Sequence, residues 1–530
     1  MTQQTPPKLL LLSSETQYQS NPTQVFRQLC GNRPATMLLE SAEISSKEGL
    51  KSLLIVDSAL RISATGQIVT IEALSINGAS LLPLLDQVIP AEMVMKTNGH
   101  TRTITFSKFL NPETDASTCG ESMRQKQTSV LDVLRTVLHL VDASHENGNA
   151  VFMGGLFAYD LIQSFEQLPH VERKNNCPDY CFYLAETLLV FDHQNKTGQL
   201  QASLFTPHVH EHQRLLHRLI ELKHILGNES FSTTKQPPSL IDHFELQCDQ
   251  TDEEYAAKVA ALQQYIQTGE IFQVVPSRTF SLPCPDPLMA YQALKENNAS
   301  PYMFYMQDTA FTLFGSSPES ALKYTSQTRQ VEIYPIAGTR PRGLNPDGTV
   351  NPDLDSRIEL EMRTDHKELA EHIMLLDLAR NDIASVSVAG TRHVTELIQV
   401  DRYSQVMHLV SHVVGTLRPE LDALHAYQNC MNMGTLTGCP KLRAMELIAQ
   451  TEKQTRGSYG GAVGYFTARG DFDTCIVIRS AYVEGGIAHI QVGAGIVLDS
   501  NPMLEAQETI DKSKAVIKAI ATAHQQKGVI

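Results

Sequence analysis

Tryptophan is absent from all 530 residues, and aromatic residues supply only 6% of the chain. Aliphatic side chains must therefore fill most of any core. Long apolar runs are missing too: none approaches the roughly 20 residues that span a bilayer. The start MTQQTPPK is polar and carries no apolar signal core. These absences point to a cytoplasmic protein with no membrane association. Positive charge is short, with 43 Lys+Arg against 58 Asp+Glu and a net charge of −15. That is the wrong sign for a nucleic-acid surface, although a local basic pocket stays open. The nine cysteines are scattered, with Cys177 and Cys181 the one close pair and no C-x-x-C. The pattern excludes a disulfide framework and a zinc knuckle, and fits buried or idle thiols.

What is present is ordinary globular composition, 42% hydrophobic and 19% charged, in a chain long enough for two or three domains. The polar stretch at 227–239, GNESFSTTKQPPS, is the best internal boundary and divides 1–235 from 236–530. In the first half the patterning predicts helices over 23–29, 130–141 and 208–226. Strands are predicted over 35–44, 52–60, 67–74, 151–160 and 181–191. In the second half a capped helix covers 252–268, and strands cover 271–275, 311–316 and 331–336. A long helix is expected over 359–383, another over 402–414 and a short one around 445–448. Three strands over 462–467, 474–483 and 487–492 read as an antiparallel meander.

Several stretches carry potential chemistry. Gly493-Ala494-Gly495 ends an apolar strand and leaves backbone N–H groups approachable. Asn501 and Pro502 then open a helix on which Glu505 and Glu508 share one face. Like charges so placed invite a hard cation such as Mg²⁺, unless Glu508 simply pairs with Lys512 on a solvated face. Glu368 and Glu371 repeat the spacing on the helix over 359–383. Gly434 to Lys441 (GTLTGCPK) fails the P-loop spacing, and Gly493-x-Gly495 lacks the third glycine of a dinucleotide fingerprint. Both loops can still bind a carboxylate. Arg479 ends the run CIVIR on the same expected sheet face as Cys475 and Val477. An Arg there is a ligand anchor or an ion-pair partner, with Tyr459 nearby. His408 and His412 are four apart, but no third zinc ligand stands at a recognisable spacing. His408 is a core residue or a general acid–base. Cys439 precedes Pro440, which cannot lend an N–H to an oxyanion hole, so no cysteine reads as a nucleophile.

Taken in order, Leu38 to Ser41 (LLES), Ser300 to Phe304 (SPYMF), Gly315 to Glu319 (GSSPE), Pro335 to Arg340 (PIAGTR), the helix from Glu361 to Asp382, Gly434 to Lys441 and Gly493 to Glu508 resemble the chorismate-utilising enzymes. Within them they resemble the large-subunit (component I) branch of the anthranilate synthases, over nearly the whole chain. The resemblance implies an α/β (α+β) fold with a β-sandwich core flanked by helices. It implies amination of chorismate with ammonia and elimination of pyruvate, with Mg²⁺. It places Glu371 and Glu508 on the metal with Glu505 close by, and Gly338, Thr339, Tyr459, Arg479, Gly493, Ala494 and Gly495 on chorismate. Glu319 is the candidate acid for the leaving hydroxyl, His408 the candidate for the elimination, and Thr435 lines the site. Glu40, Ser41, Pro301, Tyr302 and Met303 resemble a regulatory site for tryptophan in the N-terminal region and its surroundings; the family more often has Pro at position 299, where this chain has Ala. A lack of tryptophan fits an enzyme made when tryptophan is scarce, and composition drift explains it equally. Gln273 stands where isochorismate and salicylate synthases carry a lysine base, and Ala337 where aminodeoxychorismate synthases carry a lysine. With no glutaminase segment, a separate glutamine amidotransferase subunit is expected, in a heterotetramer. Aminodeoxychorismate synthesis and a non-catalytic amino-acid sensor are the alternatives.

Overall fold

The computed structural model describes residues 6–41, 50–89, 94–106, 128–144, 146–227, 245–403 and 406–524. Two long strands organise it. Lys51–Thr65 and Tyr180–Asp192 pair antiparallel from end to end, with register shifts between Ile55 and Leu60. Bulges of this kind bend a strand and let it change sheets. On one side of the bend the pair takes Thr197–Leu204 and Leu10–Thr16 at one edge. Its other edge continues through Thr36–Glu40, Tyr302–Gln307, Thr312–Ser317, Ser480–Glu484, Ile487–Gly493 and Ser277–Pro283. On the far side of the bend it takes Ile68–Ala73 and Thr101–Thr105 at one edge. The other edge there runs through Phe152–Phe157, Ala462–Thr467, Phe472–Ile476, Ser320–Thr325, Gln330–Ile333 and Val406–Thr416.

The continuous antiparallel network thus doubles back as two layers. Met37, Ile55, Phe152, Tyr183, Phe304, Leu313, Val463 and Cys475, drawn from both arms, fill the space between them. Helices Pro22–Cys30, Val209–Gly227, Pro287–Asn297 and Pro502–Ala523 cover the outer face of the first arm through residues such as Val25, Leu215, Leu294 and Ile517. Asp132–Leu138, His366–Val386 and Ala423–Cys430 cover the second through Leu134, Ile383 and Ala426. This is the β-sandwich flanked by helices that the sequence resemblance implies. Strands from both halves of the chain alternate in each arm, as Thr36–Glu40 against Tyr302–Gln307 shows. The proposed boundary at 227–239 falls, beyond Gly227, outside the described residues.

Three sequence expectations are corrected. The stretch 402–414 is not a helix: it lies largely in the strand Val406–Thr416, paired on both edges. Its run of valines suits a pleated, buried surface, and a four-residue spacing places two histidines on one side of a strand as well as of a helix. The helix expected over 359–383 is two helices, Pro352–Thr364 and His366–Val386. Asp365 separates them and caps the second, its carboxylate accepting from the N–H groups of Lys367 and Glu368. The expected strand over 474–483 is also two, because the chain turns out of the sheet at Val477 to Arg479. There Arg479 takes φ +47°, so it does not share a strand face with Cys475 and Val477.

The glycine pair in Phe152–Phe157 is required by packing. A Cβ on Gly155 would collide with the Cys181 carbonyl and stand 2.6 Å from Phe182 Cδ1. Gly155→Ala is expected to lower stability by about 1–3 kcal/mol in urea unfolding, with helix content unchanged by circular dichroism.

Candidate active site

The site grows from the second arm outwards. Ile336–Pro341 pairs with Val406–Thr416, and a register shift at Gly338 sets Thr339 opposite His408. Gly338 has φ +72°, and a Cβ there would stand 2.6 Å from a Glu368 carboxylate oxygen. Only glycine meets both demands without strain. His408 is 2% exposed. Its Nδ1 lies 2.9 Å from the Thr339 hydroxyl and 3.3 Å from the Gly338 carbonyl, while its Nε2 is buried with no partner. Burial, with the Arg479 charge second, pushes its pKa down to about 4, so it is neutral at pH 7. Tyr403 stands edge-on against the ring at 5.3 Å.

Arg479 reaches the same place from the other arm. Its backbone is held by Ser316, whose N–H donates to the Arg479 carbonyl at 3.1 Å. Among the described residues no carboxylate forms an ion pair with its guanidinium. Burial lowers its pKa, with Tyr403 and Glu319 acting against that shift. His408, Arg479, Tyr403 and Pro318 line one small cavity together with Asn298 to Ser300. Glu319 and Thr435 line a second small cavity, walled by Ile333, Leu375, Leu378 and Ile476. Burial pushes the Glu319 carboxyl up to about 8, against the stabilising influence of Thr435, the Ile336 N–H, Arg479 and Lys512. The Thr435 hydroxyl is close enough to favour the anion but makes no well-formed hydrogen bond.

Gly493-Ala494-Gly495 ends the first arm. A Cβ on Gly493 would stand 2.5 Å from the Pro276 carbonyl and 3.0 Å from the Tyr459 hydroxyl; one on Gly495 would stand 3.2 Å from Gln273 Nε2. The Ala494 N–H donates to the Tyr255 hydroxyl at 3.2 Å, and the Gly493 N–H is turned to the Tyr459 hydroxyl. The helix that follows starts as expected, Asn501 accepting from Met503 and Leu504 behind Pro502. Glu505 is 5% exposed. Glu508 is exposed and pairs with Lys512 at 2.7 Å, the simpler of its two expected roles. Lys512 also donates to the Gly493 carbonyl at 3.1 Å.

Glu371 senses this helix across the gap. Burial pushes it up to about 7, with the charges of Glu368, Glu508 and Glu505 adding to the shift and Lys367 opposing it. Glu368 is itself taken by Arg340, at 2.7 Å, while Glu371 has only a long, half-exposed pairing with Lys367 at 3.9 Å. Among the described residues no group of three or more His, Cys, Asp or Glu side chains converges at metal-binding distance.

Comparison with known proteins places this geometry. The family profile of chorismate binding enzymes matches residues 93–518. The chain belongs to that family. It is 59% identical over 518 residues to "Anthranilate synthase component 1" of Escherichia coli K12, covering 98% of each chain. Its counterpart in Salmonella typhimurium LT2 is 60% identical over 522 residues, 98% of this chain and 99% of that one. Among solved structures, anthranilate synthase component I of Streptococcus pneumoniae TIGR4 aligns with a TM-score of 0.67 at 26% identity, covering 90% and 94% of the two chains. The menaquinone-specific isochorismate synthase of Escherichia coli shares the fold at 18% identity, with a TM-score of 0.62 over 98% and 96%.

In this chorismate-binding chain the region around Glu40 divides between two faces of a sheet. Glu40 pairs in register with Met303. Its buried carboxylate accepts from the Tyr291 hydroxyl at 2.6 Å and ion-pairs with Lys295. Ser41 follows, its N–H on the Lys51 carbonyl. The Tyr302 hydroxyl donates to Asp473 at 3.1 Å, in the layer between the arms, and Pro301 is buried just before it. Sequence reading did not single out Tyr403, nor did it foresee the contact of Arg340 with Glu368 or of Lys512 with the Gly493 carbonyl. Each of these depends on how the fold brings separate elements together.

His408 and His372 supply a pH test. Burial lowers both to about 4, below the 6.5 of an exposed histidine, so the unfolded chain takes up these protons first. Stability is therefore expected to fall as pH drops from about 6.5 to 4, by up to about 1.4 kcal/mol per pH unit per histidine. Removing either one, as in His408→Gln, flattens that limb of the urea-unfolding profile.

Proposed function

We propose that this chain is the chorismate-converting subunit of an anthranilate synthase, which joins ammonia to chorismate and releases pyruvate to give anthranilate. The observation that carries the reading is Arg479: a half-buried guanidinium that makes no ion pair among the described residues, beside a neutral histidine and with Glu319 held protonated nearby. A dianionic substrate supplies what Arg479 lacks, and its planar fork suits a carboxylate. The N–H group of Gly495, with Gly493, Tyr459, Gly338 and Thr339, would hold the remainder. Glu319, held neutral up to about pH 8, can donate its proton to the departing ring hydroxyl as ammonia adds. His408, with Nε2 unpartnered, can accept the ring proton that leaves with pyruvate.

The residues fit Mg²⁺. Glu371, Glu505 and Glu508 are hard oxygen donors whose mutual repulsion and burial raise two of them, and a divalent cation would remove that cost. They would hold it together with waters and substrate oxygens. Bound there, Mg²⁺ supplies charge neutralisation at the substrate carboxylate. Gln273 beside Gly495 cannot serve as a base for water, and Ala337 offers no amine, so ammonia is the nucleophile that the site favours. Burial raises the Cys439 thiol, the opposite of an activated nucleophile. Ammonia would therefore come from a glutamine amidotransferase partner in a heterotetramer. Tryptophan inhibition would act through Ser41, Pro301, Tyr302 and Met303, with Glu40 behind them. The Asn298–Ser300 loop supports this reading, since it leads into Pro301 and also walls the Arg479 cavity.

With chorismate, Mg²⁺ and ammonium salt, the chain alone is expected to produce anthranilate fluorescence, and none with glutamine as nitrogen source. Absence of product at high ammonium overturns the reading. Arg479→Met should raise KM for chorismate about 10–100-fold, the equivalent of one charge-assisted contact, and His408→Ala should slow pyruvate release. Because Glu371 ionises near pH 7, Mg²⁺ should raise Tm more at pH 8 than at pH 6. Glu371→Gln should remove that difference.

A further inference from the structure

Arg456 is 2% exposed, and its guanidinium is spent entirely inside the protein. Nη1 donates to the Leu436 carbonyl at 2.8 Å and Nη2 to the Val275 carbonyl at 2.6 Å. Nε and Nη2 bind the two oxygens of Glu452 at 3.0 and 2.6 Å. The guanidinium carbon lies 4.7 Å from the Tyr159 ring centre and 5.6 Å from that of Tyr459. Glu452 then accepts from both the N–H and the hydroxyl of Ser277, each at 2.8 Å. Ser277 is the register partner of Gly493. The backbone beside Arg456 is pinned in turn, with the Gly457 N–H on Asp160 at 2.7 Å.

One ion pair therefore ties together three segments that are distant in sequence: the Gly434–Thr437 turn before Gly438, Tyr459, and the strand end at Gly493. These are the segments that frame the substrate cradle, and neither Arg456 nor Glu452 lines either cavity of the site. A buried pair of this kind is a weak stabiliser, since apolar replacements of similar volume are often neutral. Its fork geometry does what apolar packing does not: it fixes the spacing of three backbones at once. We propose that Arg456 and Glu452 form a positioning pair that sets the distance between the Gly493–Gly495 cradle, Tyr459 and the Leu436 turn. The proposal rests on chorismate being the substrate of that cradle.

The test uses the full chain with two variants. Arg456→Lys keeps the charge but cannot reach Leu436, Val275 and Glu452 together. Arg456→Met with Glu452→Met removes both charges and leaves no buried ion unpaired. Both are expected to lower kcat/KM for chorismate about 100-fold, the scale of an ångström-sized misplacement. Amide hydrogen exchange without ligand should accelerate at 434–437 and 493–495 while Thr36–Glu40 and Tyr302–Gln307 keep their protection. Wild-type kcat/KM in both variants overturns the proposal, as does faster exchange spread evenly over the chain. If the wild-type chain yields no anthranilate, the functional reading fails instead, and exchange at the two segments still decides the clamp.

Discussion

The site depends on one uncompensated charge. Arg479 is carried into a half-buried position by a residue in left-handed backbone conformation and faces no carboxylate among the described residues. A cation so placed costs free energy unless something anionic joins it. The fold retains the arrangement by spending backbone bonds on the turn, with Ser316 on the Arg479 carbonyl and Gly460 and Val477 bonded across from each other. Neighbouring ionisations follow from that charge and from burial. His408 is driven to its neutral form, and Glu319 is kept from rising further than about 8.

The sandwich explains how such distant residues meet. Gly493 ends a strand of the first arm, and Thr339 and His408 stand on outer strands of the second. Glu319 sits in the crossover between Thr312–Ser317 of one arm and Ser320–Thr325 of the other. The site therefore lies where the layers part, and any change in their separation alters it. Tyr302 and Asp473 touch in the same interlayer space, so a ligand wedged there would strain the spacing that the Arg479 cavity needs.

Much of this was legible in the sequence, but unevenly. Paired carboxylates at three-residue spacing, the capped start at Asn501 and the small residues at 493–495 all report on local geometry, and they stand as expected. Glu368 was not legible as an ion-pair partner, because Arg340 lies on a strand whose approach to the helix is a tertiary fact. The break at Asp365 was hidden by strong helix formers on both sides, with an aspartate that reads as surface charge. His408 and His412 looked helical because a spacing of four satisfies both periods; the valines around them carried the better signal. Arg456 and Glu452 lie in TEKQTRGS, which reads as an exposed loop, and nothing in that string announces a buried ion pair.

On the proposed reading, the opposed pKa shifts of Glu319 and His408 set the order of events. An acid held protonated and a histidine held neutral are the states needed by a proton donor and a later acceptor, and environment alone separates them. The Gly338 carbonyl can only accept, so its contact with Nδ1 places the ring proton there and leaves the Nε2 lone pair for the substrate. With a pKa near 4, that lone pair is a poor base in the empty site. A carboxylate seated on Arg479 cancels part of the charge that depresses it. On the proposed reading the substrate thereby strengthens the base that acts on it, and the empty enzyme holds His408 in reserve.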